Sequence, residues 1–360
     1  MILIFPRFLV FDIGAYNTKI VQASVVGSKI NISNYAVLPT PSAVIEDGKL
    51  SNIDILAQAI KLILKEKKMK EKNVIITISG TFIITREVIL PKASTKELKS
   101  IIEMESPQYF PVNMDSYIMD YKILEEMKTE KGARYRILLA AVPTGIIQGY
   151  LELASLCGLN IYSIDFAGNS IVKFISNETT ERNSKDKKGD SKTIAILDIG
   201  CKTTTVSIIS NGSYQFNRIM LYGSQDFTHM IASNLGLNFD AAEQLKLEKA
   251  AIIPPDEEPD SMQASVISES IRATLLTFID DATRFFEFYY SRNTGNRIDQ
   301  IYLVGGGCQV RGLETYLSIA FNISVERIQQ FKTVTYSKKQ EHFKEMQVFY
   351  TNCLGAILNK

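Results

Sequence analysis

One short pattern occurs twice in this chain, near its start and again just past its middle. Phe11-Asp12-Ile13-Gly14-Ala15-Tyr16-Asn17-Thr18-Lys19 follows the apolar run Phe8-Leu9-Val10. Ile194-Ala195-Ile196-Leu197 leads into Asp198-Ile199-Gly200-Cys201-Lys202-Thr203-Thr204. Each copy reads as an apolar strand, Asp-Ile-Gly, a short polar turn, and a Thr opening a second strand. Gly27-Ser28 and Asn211-Gly212 then close similar hairpins, and Asn-Gly is a strong two-residue turn signal. Any fold for this chain must house two like strand–turn–strand units, one in each half.

The order Asp, Gly, Thr has a chemical reading. A Gly at a strand end lets the backbone turn and expose N–H donors, which can hold a phosphate together with a Thr hydroxyl. A carboxylate repels phosphate, so the task open to Asp12 and Asp198 is to hold a hydrated Mg²⁺ beside it. One Asp-Ile-Gly is equally a plain strand-to-turn junction. Two copies with shared flanks favour a clamp on one polyphosphate. A third element agrees: Gln300 to Val304 reads as a strand, Gly305-Gly306-Gly307 follows, and a helical pattern begins near Gly312. Three glycines between strand and helix let backbone approach a flat ligand, and the helix start adds donors and positive dipole.

With these three elements the chain resembles the actin/Hsp70/hexokinase nucleotide-binding superfamily, whose phosphate-1, phosphate-2 and adenosine motifs they match in order. The fold this implies is α/β: an actin-like (ribonuclease H-like) bilobed ATPase fold with an FtsA-type inserted subdomain. The resemblance implies ATP with Mg²⁺. It assigns Gly14, Asn17, Thr18, Lys19, Gly200, Cys201, Thr203 and Thr204 to the phosphates, and Asp12 and Asp198 to the metal through water. Ala242-Glu243-Gln244-Leu245-Lys246 resembles the Ala-Glu-x-x-Lys helix of bacterial actin homologues, which sets Glu243 and Lys246, with Gly305, Gly306 and Gly307, on the adenosine. Asp165 falls where bacterial actins often carry an acid near the attacking water. Asp12, Asp198 and Asp165 are therefore the catalytic candidates. Cys201 departs from the usual Ala or Ser.

Composition narrows the function classes. The 360 residues suffice for two domains, and a hydrophobic content of 46% for real cores. Forty basic residues against 39 acidic ones give no electrostatic case for nucleic acid. Lys65 to Lys72 reads as a solvated helix end. Cys157, Cys201, Cys308 and Cys353 are far apart, without metal spacing or a disulfide framework, which fits a reducing cytoplasm. No stretch approaches a membrane span, and Pro6 and Arg7 interrupt the apolar start.

Along the chain, residues 1–80 and 161–176 read as the first lobe, with a helix from a capping box at Ser51-Asn52-Ile53-Asp54. Residues 81–160 read as an inserted subdomain with a helix capped at Ser94-Thr95-Lys96-Glu97 and ended by Pro107 and Pro111. Residues 177–192 lack any apolar side chain and read as a flexible linker. Residues 193–235 and 296–360 read as the second lobe, and 236–295 as a helical subdomain meeting the nucleotide, with a long helix from about Ala264 to Ser291.

Within the superfamily the inserted block and the short C-terminal segment, with Gly355 inside what reads as a docked helix, are most similar to the PilM family of type IV pilus proteins. FtsA would continue into a linker and a membrane-targeting helix, and Hsp70 into a peptide-binding domain. This resemblance implies a cytoplasmic scaffold at the inner face of the membrane. It would take the N-terminal cytoplasmic segment of PilN near the inserted block and act with PilO, PilB and PilC indirectly, with self-association open. Tyr109, Phe110 and Tyr117 are the groove candidates, although core packing is the commoner role for any one of them. The competing readings are an FtsA-like division protein, or an ATPase or small-molecule kinase of the same superfamily.

Overall fold

The computed structural model describes residues 5–130, 132–183, 192–254 and 256–358. The first lobe starts as a meander: β1 (Arg7–Ile13), β2 (Asn17–Val26) and β3 (Lys29–Pro39) pair antiparallel. A two-stranded ribbon, β4 (Ile45–Glu46) and β5 (Lys49–Leu50), precedes α1 (Ile53–Glu66). That helix is not opened by a capping box. Asn52 sits at its start in left-handed backbone (φ 48°) without a side-chain cap, and the Ser51 hydroxyl donates to the Ala43 carbonyl at 2.6 Å. The four-residue pattern was right in composition, but the tight ribbon before it claimed the serine. β6 (Asn73–Ile78) then lies parallel to β1.

A separate small sheet follows. β7 (Ile84–Pro91), α2 (Thr95–Tyr109), β8 (Tyr117–Thr129) and β9 (Gly132–Pro143) form a three-stranded antiparallel sheet in the order β7-β9-β8, with α2 on one face. The capping box of α2 is present: Ser94 and Glu97 exchange backbone and side-chain bonds. Pro107 does not end the helix, which runs to Tyr109. The Glu103 carbonyl that Pro107 cannot bond accepts the Ser106 hydroxyl at 2.9 Å. Leu90, Leu98, Ile102, Phe110, Ile137 and Leu139 give this block its own core. Phe110 is thus a core side chain, not a groove wall.

The next helix, α3 (Thr144–Cys157), was expected inside the block. Its Tyr150, Leu153 and Ala154 instead pack with α1 residues Leu56, Ala57 and Ile60 under the first sheet. β10 (Asn160–Phe166) joins that sheet beside β6, and α4 (Ala167–Asn183) follows. Residues 177–183 continue this helix, so the expected linker is helical there. The remainder of that expectation, 184–191, lies outside the described residues.

The second lobe repeats the scheme. β11 (Thr193–Ile199), β12 (Thr204–Ser210) and β13 (Ser213–Met220) form an antiparallel meander. The helices α5 (Ser224–Leu235), α6 (Phe239–Lys249) and α7 (Met262–Arg292) come next, then β14 (Gln300–Val304), α8 (Leu313–Phe321) and β15 (Ser324–Arg327). The sheet order is β13-β12-β11-β14-β15. α7 packs Ile267, Ile271, Leu275 and Phe278 into the same apolar cluster as this sheet, so 236–295 shares the lobe's core rather than forming one of its own.

The chain then returns to its first half. β16 (Val334–Tyr336) pairs parallel with β3, and α9 (Phe343–Met346) and α10 (Thr351–Ala356) pack there too. The expectation that 296–360 lies wholly in the second lobe is corrected for this stretch. One apolar cluster joins Val10, Val21 and Ile75 of the first sheet to Ile194, Ile196 and Val304 of the second, with α4 and α10 contributing Phe174, Leu354 and Ala356. The two helices cross where Gly355 lies against the Ser170 backbone, with no room for a Cβ.

Candidate nucleotide site between the two hairpins

The two Asp-Ile-Gly turns are built alike. The Gly14 N–H donates to the Asn17 carbonyl at 3.1 Å and the Gly200 N–H to the Thr203 carbonyl at 2.9 Å. Register is equivalent too: Asp12 faces Lys19 and Ile13 faces Thr18 in one hairpin, as Asp198 faces Thr205 and Ile199 faces Thr204 in the other. Side chains alternate along a strand, so Asn17 and Lys19 share one face and Thr18 takes the other. Thr18 is fully buried and its hydroxyl bonds Thr40 at 2.9 Å; Thr204 is fully buried and donates to the Tyr222 carbonyl at 2.9 Å. Both threonines therefore fasten their hairpins to the next segment, and the expectation that they hold phosphate is corrected.

Between the turns lies a cavity of about 520 Å³. Gly14, Asn17, Lys19, Gly200, Cys201, Glu243, Lys246, Gly306 and Gly307 line it, so nine of the expected residues meet in one place. Asp12, Asp198, Thr203 and Gly305 do not line it. Asp12 stands behind Lys19, which bonds it at 3.0 Å, and accepts the Thr77 hydroxyl at 3.3 Å. Asp198 accepts the Asn352 side-chain amide at 3.1 Å. Gly305, at φ 88°, lets its backbone pass so close that a Cβ would lie 2.5 Å from the other Asp198 carboxylate oxygen.

The electrostatics follow from this packing. Burial alone would lower the Lys19 pKa, but Asp12 beside it and Asp198 beyond hold it above the ordinary lysine value. Burial raises the Asp198 pKa, and the Asp12 charge adds to that, while Lys19 and the Asn352 bond oppose it. Burial also raises the Cys201 thiol, which leaves it a neutral small side chain in the turn. On the far wall Lys246 pairs with Glu243 at 2.8 Å and donates to the Ser224 carbonyl at 3.0 Å and the Thr228 hydroxyl at 2.9 Å. Helix spacing of three residues puts the pair on one face.

Asp165 lies elsewhere. Its carboxylate accepts Asn169 at 2.8 Å and Ser170 at 2.7 Å and pairs with Lys173 at 2.9 Å, all at the start of α4. With its oxygens so engaged it organises that helix and is not poised at the cavity. Sequence reading missed Tyr16, Ser224, Gln309, Arg311 and Phe349 on the cavity wall, and Asn352 behind it. Tyr16 and Ser224 adjoin recognised turns and were within reach. Phe349 and Asn352 arrive by the long-range return of the C-terminal segment, which leaves no local pattern.

Paired hairpins on two like sheets, with a Gly-rich strand–helix turn closing the cavity between them, define an actin-like ATPase fold. The chain belongs to the PilM family: the family described as type IV pilus assembly protein PilM matches residues 11–359. Among solved structures, it superposes on a chain of a PilM-PilN type IV pilus biogenesis complex with a TM-score of 0.82, at 23% identity and 98% coverage of both chains. It is more distantly similar to MreB5 of Spiroplasma citri bound to ADP, with a TM-score of 0.53, 12% identity, and coverage of 97% of this chain and 94% of that one. Among curated sequences it is 23% identical over 285 residues to the cell division protein FtsA of Streptococcus pneumoniae serotype 2, over 73% of this chain. The FtsA of Bacillus subtilis is also 23% identical, over 268 residues. The chain spans 60% and 57% of the length of these two relatives. Among the described residues no helix is long and apolar enough to cross a membrane.

Proposed function

We propose that this chain is a nucleotide-controlled scaffold of type IV pilus assembly, binding Mg·ATP between its lobes and the N-terminal cytoplasmic segment of PilN beside its inserted block. The observation that carries the nucleotide half is the shared cavity between the Gly14 and Gly200 turns, with Lys19 on its wall and Asp12 and Asp198 behind. Backbone donors of both turns and the Lys19 ammonium suit phosphates, and Glu243 and Lys246 suit the ribose and base. Among the described residues no cluster of three or more His, Cys, Asp or Glu could ligate a metal directly. Two carboxylates near one ammonium instead fit a hydrated Mg²⁺ held through its waters, and the buried Asn352 carbonyl oxygen, which has no partner, fits as a further acceptor. When bound, the ion would neutralise phosphate charge. With Asp165 engaged in α4, little or slow hydrolysis is the expectation, and control through the angle between lobes is the role.

For the partner, a second cavity of about 350 Å³ lies between the block and the first lobe. Ile118, Asp120 and Lys122 of the edge strand β8, Leu138 and Ala140 of β9, and Ile164 and Phe166 of β10 line it. A largely apolar slot beside an edge strand suits an extended peptide with apolar anchors. Tyr109 and Tyr117, the remaining groove candidates, pack on the block's own core instead. PilN would tether the chain to the inner face of the membrane; contact with PilO, PilB and PilC would be indirect.

The test is hydrogen exchange with a peptide copying the cytoplasmic start of the cognate PilN. Protection in 118–142 and 164–166 supports the assignment. Protection confined to α6 and α7 would contradict it.

A further inference from the structure

Asn352 stands at the junction of the two lobes. Its helix, α10, belongs to the first: the neighbouring Cys353 thiol donates to the Val10 and Lys19 carbonyls at 3.7 and 3.8 Å, and Gly355 is set against Ser170. The carboxylate it bonds, Asp198, ends a strand of the second lobe. The two acids behind the cavity are therefore held differently. Asp12 is fixed within its own lobe by Lys19 and Thr77. Thr205, across from Asp198, carries no charge to do the same, so Asp198 is steadied by an amide from the opposite lobe.

The other end of that amide is unpaired. The Asn352 carbonyl oxygen is buried and bonds nothing within the protein. A buried acceptor left unpaired is destabilising, a cost that a site serving a hydrated ion recovers on loading. Water molecules on a bound cation point their protons outward and need acceptors.

We propose that Asn352 is a positioning residue of the Mg·ATP site, holding Asp198 through its NH₂ and accepting a metal-bound water through its carbonyl oxygen. The proposal rests on the nucleotide reading above and adds a residue to it. It also makes α10 part of the site, so metal loading draws Asp198 and the first lobe's last helix together.

The experiment is calorimetric titration of wild type, Asn352→Leu and Asn352→Ala with ATP, in the presence of EDTA and in excess Mg²⁺, with melting temperatures recorded. Leu keeps the volume and Ala covers the case in which Leu does not fold. The expected result is a loss of roughly tenfold in Mg·ATP affinity, the worth of a hydrogen bond to a charged group, with metal-free ATP affinity changed less than about twofold. Equal loss with and without Mg²⁺, or no loss, in a folded variant would overturn the role of Asn352 while leaving the nucleotide site standing. A wild-type protein that bound no Mg·ATP would overturn both.

Discussion

Lys19 Nζ lies 3.0 Å from Asp12 Oδ2, across a register pair of the first hairpin, and also feels the charge of Asp198 on the other lobe. The second hairpin has Thr205 in the equivalent place. One ammonium thus serves two carboxylates contributed by two lobes. Apart from that ammonium the two acids have, among the described residues, only neutral side-chain partners, Thr77 on Asp12 and Asn352 on Asp198, so under the proposed function a cation loaded there would change the charge balance at the lobe junction.

Arg136 should couple the inserted block to the second lobe. Its buried guanidinium pairs with Glu87 at 3.0 Å and Glu125 at 3.2 Å, and donates to the Ser213 hydroxyl at 2.7 Å and the Tyr214 carbonyl at 3.1 Å. Arg136→Met is expected to destabilise by about 2 kcal/mol, below the 3–5 of a fully buried pair because both glutamates reach solvent. Urea unfolding measures the loss. Hydrogen exchange should rise at 213–215 in the variant; unchanged exchange there would mean the block is held to the second lobe by other contacts.

Gly355→Ala should be costly although it swaps a helical glycine for the best helix former. A Cβ there meets the Ser170 carbonyl, and backbone cannot yield as a side chain can. Overpacking costs about 1–3 kcal/mol, against a propensity gain of about 1. A net loss in denaturant unfolding is the expected result, and a net gain would show that α4 and α10 can separate freely.

Lys122 gives a pH signature to the cavity beside β8. Burial, aided by the Lys173 charge and opposed by Asp165, lowers its pKa to about 8. The unfolded chain, with an ordinary lysine near 10.4, binds more protons between these values, so stability should rise as pH climbs from about 8 towards 10. Lys122→Met should flatten that part of the stability profile. An identical slope in variant and wild type would assign it to another group.

Much of the candidate site's lining was readable because its parts are local. Asp-Ile-Gly, the Gly triplet and the Glu243–Lys246 spacing each carry their geometry within a few residues, and nine of the residues so chosen line one cavity. Thr18 and Thr204 were misassigned because hydroxyl chemistry does not reveal which strand face a side chain takes. Asp165 was misread because its partners, Ser170 and Lys173, lie on the first two turns of a helix whose start it organises. The return of β16 to β3 was illegible: three residues carry no periodicity, and their partner is at the other end of the chain. The block's boundary failed at α3 for a similar reason, since an amphipathic helix does not announce which core it joins.

The central claim is that the two hairpins close on one Mg·ATP through Asp12 and Asp198. Its most direct measurement is calorimetric titration with ATP, with and without Mg²⁺, of wild type, Asp12→Ala and Asp198→Ala. Each substitution should weaken Mg·ATP binding at least tenfold, the order of one charged hydrogen bond, with the cooperative unfolding transition retained. Affinity equal to wild type in both variants would contradict the clamp.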